Sequence, residues 1–157
     1  MCLKKIITIT GHKHTKKNDL ARKLAKNSEV IWVQPYTDRP IPKSEIPEKY
    51  GEYHFTTKEE LDYLIKNNDV LSVTTINNHR YVFFNFQITA NYNVLIVDDY
   101  GVVDIKTRWK GKIYTIRVVS DNEEQSDRVG EFLYKHEFDT VFDVDKDDYD
   151  ELEALIV

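Results

Sequence analysis

Gly11-His12-Lys13-His14-Thr15-Lys16-Lys17-Asn18 follows directly on the apolar run Lys5-Ile6-Ile7-Thr8-Ile9-Thr10 and leads into Asp19-Leu20-Ala21-Arg22-Lys23-Leu24-Ala25-Lys26. A strand, a turn and a helix start in that order are the parts of a phosphate-binding loop. Such a loop reads Gly, four residues, Gly-Lys-Ser/Thr, and its backbone N–H groups converge on an anion at the helix N-terminus. Gly11 and Lys17 stand in register with the first Gly and the Lys, while Lys16 replaces the second Gly and Asn18 the hydroxyl. Gly11, Lys16, Lys17 and Asn18 therefore form the candidate nucleotide-phosphate loop, with Lys17 a candidate catalytic cation. Lys16 brings a long side chain where the anion needs space. Asn18 offers an amide oxygen to a metal ion, a bulkier donor than a hydroxyl.

Three further groups carry polar chemistry: Thr37-Asp38-Arg39-Pro40, Gly51-Glu52-Tyr53-His54-Phe55 and Asp98-Asp99-Tyr100-Gly101. An Arg fork and a phenol hydroxyl are strong partners for a dianionic phosphate. Arg39 could equally pair with Asp38, and Tyr53 could be an ordinary strand aromatic. Asp98 ends an apolar strand, which is where an open α/β sheet places its ligand. The same carboxylate could cap the helix that follows.

The elements that must hold these groups alternate between strand and helix at both ends of the chain, an α/β pattern. Strands are expected at 5–10, 30–33, 93–99, 112–119 and 140–144, and helices at 19–26, after the capping box Ser120-Asp121-Asn122-Glu123, and after Asp148. In the last of these, Leu152, Leu155 and Ile156 should share a buried face. The stretch 35–51 holds Pro35, Pro40, Pro42 and Pro47 and should be largely loop. Between the halves lie a short strand at 53–55, a helix opened by Thr57-Lys58-Glu59-Glu60 with Leu61, Leu64 and Ile65 inward, and strands 70–76 and 81–86. These strands join through Asn77-Asn78-His79-Arg80. Residues 35–86 thus read as a small mixed α+β insertion, with 1–34 and 87–157 forming the core domain.

Composition narrows the function. The chain has 157 residues, 41% hydrophobic and 12% aromatic, enough for a globular core. Its net charge of -5, with acids crowded near the C-terminus, does not suit nucleic acid as a main partner. No apolar run approaches a membrane span and no signal-peptide core is present, so a cytoplasmic protein is expected. Cys2 is the single cysteine, which excludes an internal disulfide. The Lys-, Asn-, Ile- and Tyr-rich usage is that of an AT-rich genome, bacterial or phage.

Taken together, the phosphate loop, Thr37-Asp38-Arg39-Pro40, Gly51-Glu52-Tyr53-His54-Phe55 and the helix ending at Lys66-Asn67-Asn68-Asp69 resemble the guanylate kinase family. The resemblance runs from Lys5 to about Ile156. It implies a P-loop-type parallel sheet flanked by helices, with an inserted subdomain that binds the acceptor nucleotide GMP. It further implies an acceptor-binding set of Thr37, Arg39, Tyr53, Ser72, Tyr81 and Asp98, a metal site at Asn18 and Asp98, and Asp98 beside Lys17 in catalysis. Activity would require ATP and Mg²⁺. The sequence also departs from the family. Ser72 stands where a Glu reads the guanine edge, Phe83 or Phe84 at a second base-reading position, and Pro42 or Ile41 at a second Arg. The segment after Asp127-Arg128-Val129 leads straight to the last strand, so the Arg-rich lid that closes over ATP is expected to be missing.

Phosphoryl transfer rests almost wholly on positioning and on charge neutralisation by Lys, Arg and metal. The reading is therefore a pseudo-kinase that binds a nucleotide, a phosphorylated ligand or a protein partner through a residual acceptor pocket. The alternative is an active nucleoside-monophosphate kinase moving phosphate from ATP to GMP.

Overall fold

The computed structural model describes residues 4–12, 15–41, 53–120 and 138–157. Its main sheet is five-stranded and parallel, in the order β2-β7-β1-β8-β9, from β1 (Lys5–Gly11), β2 (Val30–Trp32), β7 (Tyr92–Ile96), β8 (Lys112–Val119) and β9 (Thr140–Asp143). β1 lies at the centre, and residues 6 to 10 are all buried, which is why it reads as a near-continuous apolar run.

Helices cover both faces. Ile7 and Ile9 pack with Leu20, Ala21 and Leu24 of α1 (Lys17–Leu24) and with Leu152 and Ile156 of the closing helix α4 (Tyr149–Ile156). Ile6, Leu95 and Val97 pack with Val102 and Ile105 of α3 (Asp99–Arg108). Burial of each such side chain contributes roughly 1.5–3 kcal/mol. From β1 the chain moves outward to β2, and from β7 it crosses over β1 to β8. The strand order therefore reverses at β1, and the carboxyl ends of β1, β7 and β8 border the crevice where open α/β sheets bind ligands.

The second sheet is mixed and four-stranded, in the order β4-β3-β6-β5. Its strands are β3 (Tyr36–Thr37), β4 (His54–Phe55), β5 (Val70–Ile76) and β6 (His79–Phe84), and α2 (Lys58–Asn67) lies between β4 and β5 in sequence. Leu61 of α2 packs with Val82 and Phe84 to give this sheet its own core, while Leu71 and Phe83 join the core beneath α3. The Thr57 hydroxyl accepts the Glu60 N–H at 3.1 Å, which caps α2. Asn77 and Asn78 both take left-handed φ values, 52° and 67°, so the hairpin closes in two residues.

Several boundaries differ from expectation. α1 begins at Lys17, two residues early, because Lys16 turns the chain into it. Tyr36–Thr37 is a strand inside the Pro-rich stretch, paired with Val82 and Tyr81; Pro35 precedes it and so removes no ladder bond. The strand expected to reach Phe86 ends at Phe84, where the Gln87 side chain accepts the Phe84 N–H and starts a 3₁₀ turn. Leu155 is 67% exposed and not part of the α4 face, which is Leu152 and Ile156. The capping-box helix after Ser120 and the expected lack of a lid fall on 121–137, outside the described residues. No helix among the described residues is long and apolar enough to cross a membrane.

Candidate functional site

The loop after β1 keeps the shape that its altered residues put in question. Lys16 adopts φ 58° and ψ 32°, the left-handed conformation a glycine supplies at low cost, and its side chain is exposed. For a residue with a Cβ this conformation costs about 1–2 kcal/mol. Thr15 is fully buried and closes the turn by donating both its N–H, at 3.0 Å, and its hydroxyl, at 2.5 Å, to the His12 carbonyl. Gly11 is required by close approach: a Cβ there would lie 2.7 Å from Thr15 Oγ1 and 2.8 Å from the Val118 carbonyl oxygen. The second of these is backbone and cannot rotate away. Gly11→Ala is expected to cost about 1–3 kcal/mol in urea unfolding; wild-type stability would show that the loop has slack.

Lys17, in the first turn of α1, reaches back over the loop and donates from Nζ to the Gly11 carbonyl at 2.9 Å. Burial pushes the Lys17 ammonium below the usual lysine range, the Arg117 charge pushes it the same way, and Asp98 opposes both. Asp98 is the N-cap of α3, its Oδ1 accepting the Gly101 N–H at 2.7 Å. Asp99 stands next to it, 3.5 Å from Arg117 Nη1, and its carboxyl is raised by burial and by the Asp98 charge against the pull of Arg117. The carboxyl ends of β1, β7 and β8 thus bring two cations and two carboxylates together.

The acceptor-side residues meet on the small sheet. The Arg39 guanidinium lies 5.0 Å from the Tyr53 ring centre and 5.4 Å from that of Phe55. Tyr53 also touches Tyr81, with ring centres 5.7 Å apart. Tyr81 pairs in register with Thr37, whose hydroxyl accepts the Arg39 N–H at 3.2 Å. Stacking engages the faces of the guanidinium, whereas a phosphate is bound along its N–H edges, so the two uses are compatible. Arg39 does not take Asp38 as its partner: that carboxylate accepts the Arg80 backbone N–H at 2.8 Å and Arg80 Nε at 2.9 Å. Ser72 is buried in β5, 1% exposed, opposite Phe83.

Both sides face one cleft. Asn18 of α1 and Tyr53 and Phe83 of the small sheet line a cavity of about 80 Å³ with Trp32, Val33, Gln34, Pro35 and Ile96. Gln87 Nε2 ties the sheets together by donating to the Gln34 carbonyl at 2.6 Å.

No family model matches the sequence and no curated protein matches it. Among solved structures, the guanylate kinase from Anaplasma phagocytophilum is similar over 99% of this chain and 83% of that one, with a TM-score of 0.70 and 17% sequence identity. The fold is guanylate kinase-like. In it, the parallel sheet carries the phosphate loop and the small mixed sheet carries Arg39, Tyr53 and Tyr81.

The guanylate kinase-like crevice holds one group that reasoning from motifs overlooks. Arg117 is 5% exposed in β8, opposite Thr10 in the register of β1 and β8. Its strand neighbours Ile116 and Val118 point to the α1 face, so Arg117 points to the α3 face, where Asp99 stands. The signal was present as a lone Arg in the run Thr115-Ile116-Arg117-Val118-Val119. A buried Arg needs a partner or a purpose.

Proposed function

We propose that this chain is a binding protein of guanylate kinase-like fold, which holds the phosphate of a nucleoside monophosphate such as GMP between Arg39, Tyr53, Thr37 and Tyr81 without transferring phosphate to it. The observation that carries the proposal is the Arg39–Tyr53–Tyr81 stack, on the same side of the cleft as Thr37 and across from Asn18. A guanidinium fixed by stacking loses little freedom when it binds an oxyanion. With Ser72 enclosed in β5 and no carboxylate in its place, base selectivity is expected to be weak. A phosphorylated side chain of a partner protein would meet the same clamp.

The donor side supports binding without transfer. Asn18 lines the cleft beside Trp32 and Tyr53, and Asp98 has one oxygen committed to the α3 cap. These two fit Mg²⁺ poorly, because Lys17 and Arg117 put two positive charges beside the position the ion would take. The cavity of about 80 Å³ is also well below the roughly 300–1,000 Å³ of small-molecule sites. A nucleotide enters only if the small sheet moves away from α1.

A coupled assay for ADP release, run with ATP, Mg²⁺ and each monophosphate in turn, tests the proposal. No turnover above background is expected. A kcat in the range of about 1–100 s⁻¹ typical of kinases would overturn it in favour of the active enzyme.

A further inference from the structure

We infer that Arg117 takes over the role of a metal ion at the phosphate loop, so that the loop binds a phosphate group through Lys17 and Arg117 without Mg²⁺. The inference concerns the loop and does not depend on the Arg39 clamp. Phosphate loops neutralise their ligand with a lysine, a ring of backbone N–H groups and a divalent cation held by the Ser/Thr hydroxyl. Here the hydroxyl is replaced by Asn18, which lines the cleft. The lysine remains, and the backbone turn remains through the left-handed Lys16. What has been added is a guanidinium fixed at the carboxyl end of the sheet.

Its geometry suits that use. Arg117 lies in the β8 register between Ile116 and Val118, and Val118 is the partner of Gly11, so the guanidinium is rooted one residue from the start of the loop. Lys17 reaches Gly11 from the α1 face while Arg117 projects from the α3 face, so the two cations flank the loop from either side of the sheet. Thr10, paired with Arg117 and pointing the same way, has a buried hydroxyl with no hydrogen-bond partner among the described residues. The Arg117–Asp99 separation of 3.5 Å exceeds the ~2.7–2.9 Å of a strong charge-assisted bond, so Asp99 does not saturate the guanidinium. Two neighbouring cations repel each other and repel a divalent metal, and an incoming phosphate relieves that repulsion. The effect of Arg117 on the Lys17 ammonium reports the same proximity.

The test is calorimetric titration of the full chain with inorganic pyrophosphate and with ATP, each in excess EDTA and in excess Mg²⁺. Binding of equal strength in both conditions is expected. Arg117→Leu should weaken it by about tenfold to a hundredfold, the scale of lost hydrogen bonds to a charged group. Arg117→Lys keeps the charge without the fork; it should recover part of the affinity, and it tests the idea if the Leu variant unfolds. Binding that requires Mg²⁺, or that is unchanged in both Arg117 variants, would overturn the inference. If the wild-type chain binds GMP but neither pyrophosphate nor ATP, the inference fails while the acceptor clamp stands.

Discussion

Arg39→Ala is expected to weaken GMP binding by about tenfold to a hundredfold while the chain stays folded. The loss follows from removing charge-assisted hydrogen bonds, worth about 1.5–3 kcal/mol, from the one cation stacked at the acceptor side of the cleft. Stability should change little, because exposed cation–π contacts contribute only about 0.5–1 kcal/mol each, and Tyr53 keeps its contacts with Phe55 and Tyr81. Arg39→Lys separates charge from geometry. An ammonium cannot present two parallel N–H groups or stack as a plane, so it should restore only part of the affinity. Full binding by Arg39→Ala would move the ligand elsewhere.

Asp38→Ala should destabilise the protein by about 2–3 kcal/mol, at the lower end of what breaking a buried ion pair costs. Asp38 is the most enclosed carboxylate of the small sheet, 7% exposed, and it bonds to both the backbone and the side chain of Arg80, 42 residues away. The cost falls short of a fully buried pair because Arg80 is 22% exposed and keeps Asp62 at 2.6 Å. Burial pushes the Asp38 carboxyl up, but the Arg80 N–H and guanidinium together outweigh it and hold the group below the usual carboxylate range. The folded form therefore releases this proton more readily than the unfolded chain. The contribution is full above the ordinary Asp value near about 4 and is lost as pH falls through the lower folded value. Urea unfolding across that acid range should show the wild type losing more stability than Asp38→Asn; parallel pH profiles would refute this role.

How much of this could be read from the residues depends on how local each cause is. The β1–loop–α1 unit is legible because Gly11 and Lys17 hold fixed spacing between an apolar run and a helical face. The caps at Thr57 and Asp148 are legible for the same reason, each being satisfied within three residues. α3 is harder to delimit, since Gly101, Val102, Val103, Ile105 and Thr107 are indifferent helix formers and it is held by Asp98 and by packing under β7. Arg117 and the Asp38–Arg80 pair lie beyond local reading. The neighbours of Arg117 are set by β8 lying beside β1, and the pairing of Asp38 with Arg80 by β3 lying beside β6.

One measurement bears most directly on a phosphate clamp without transfer: the structure of the chain crystallised with GMP. The nucleotide phosphate should lie within hydrogen-bond distance of the Arg39 guanidinium and the Tyr53 hydroxyl, with the small sheet drawn back from Asn18. GMP bound away from both residues, or Arg39 still stacked with no anion in reach, would contradict the account.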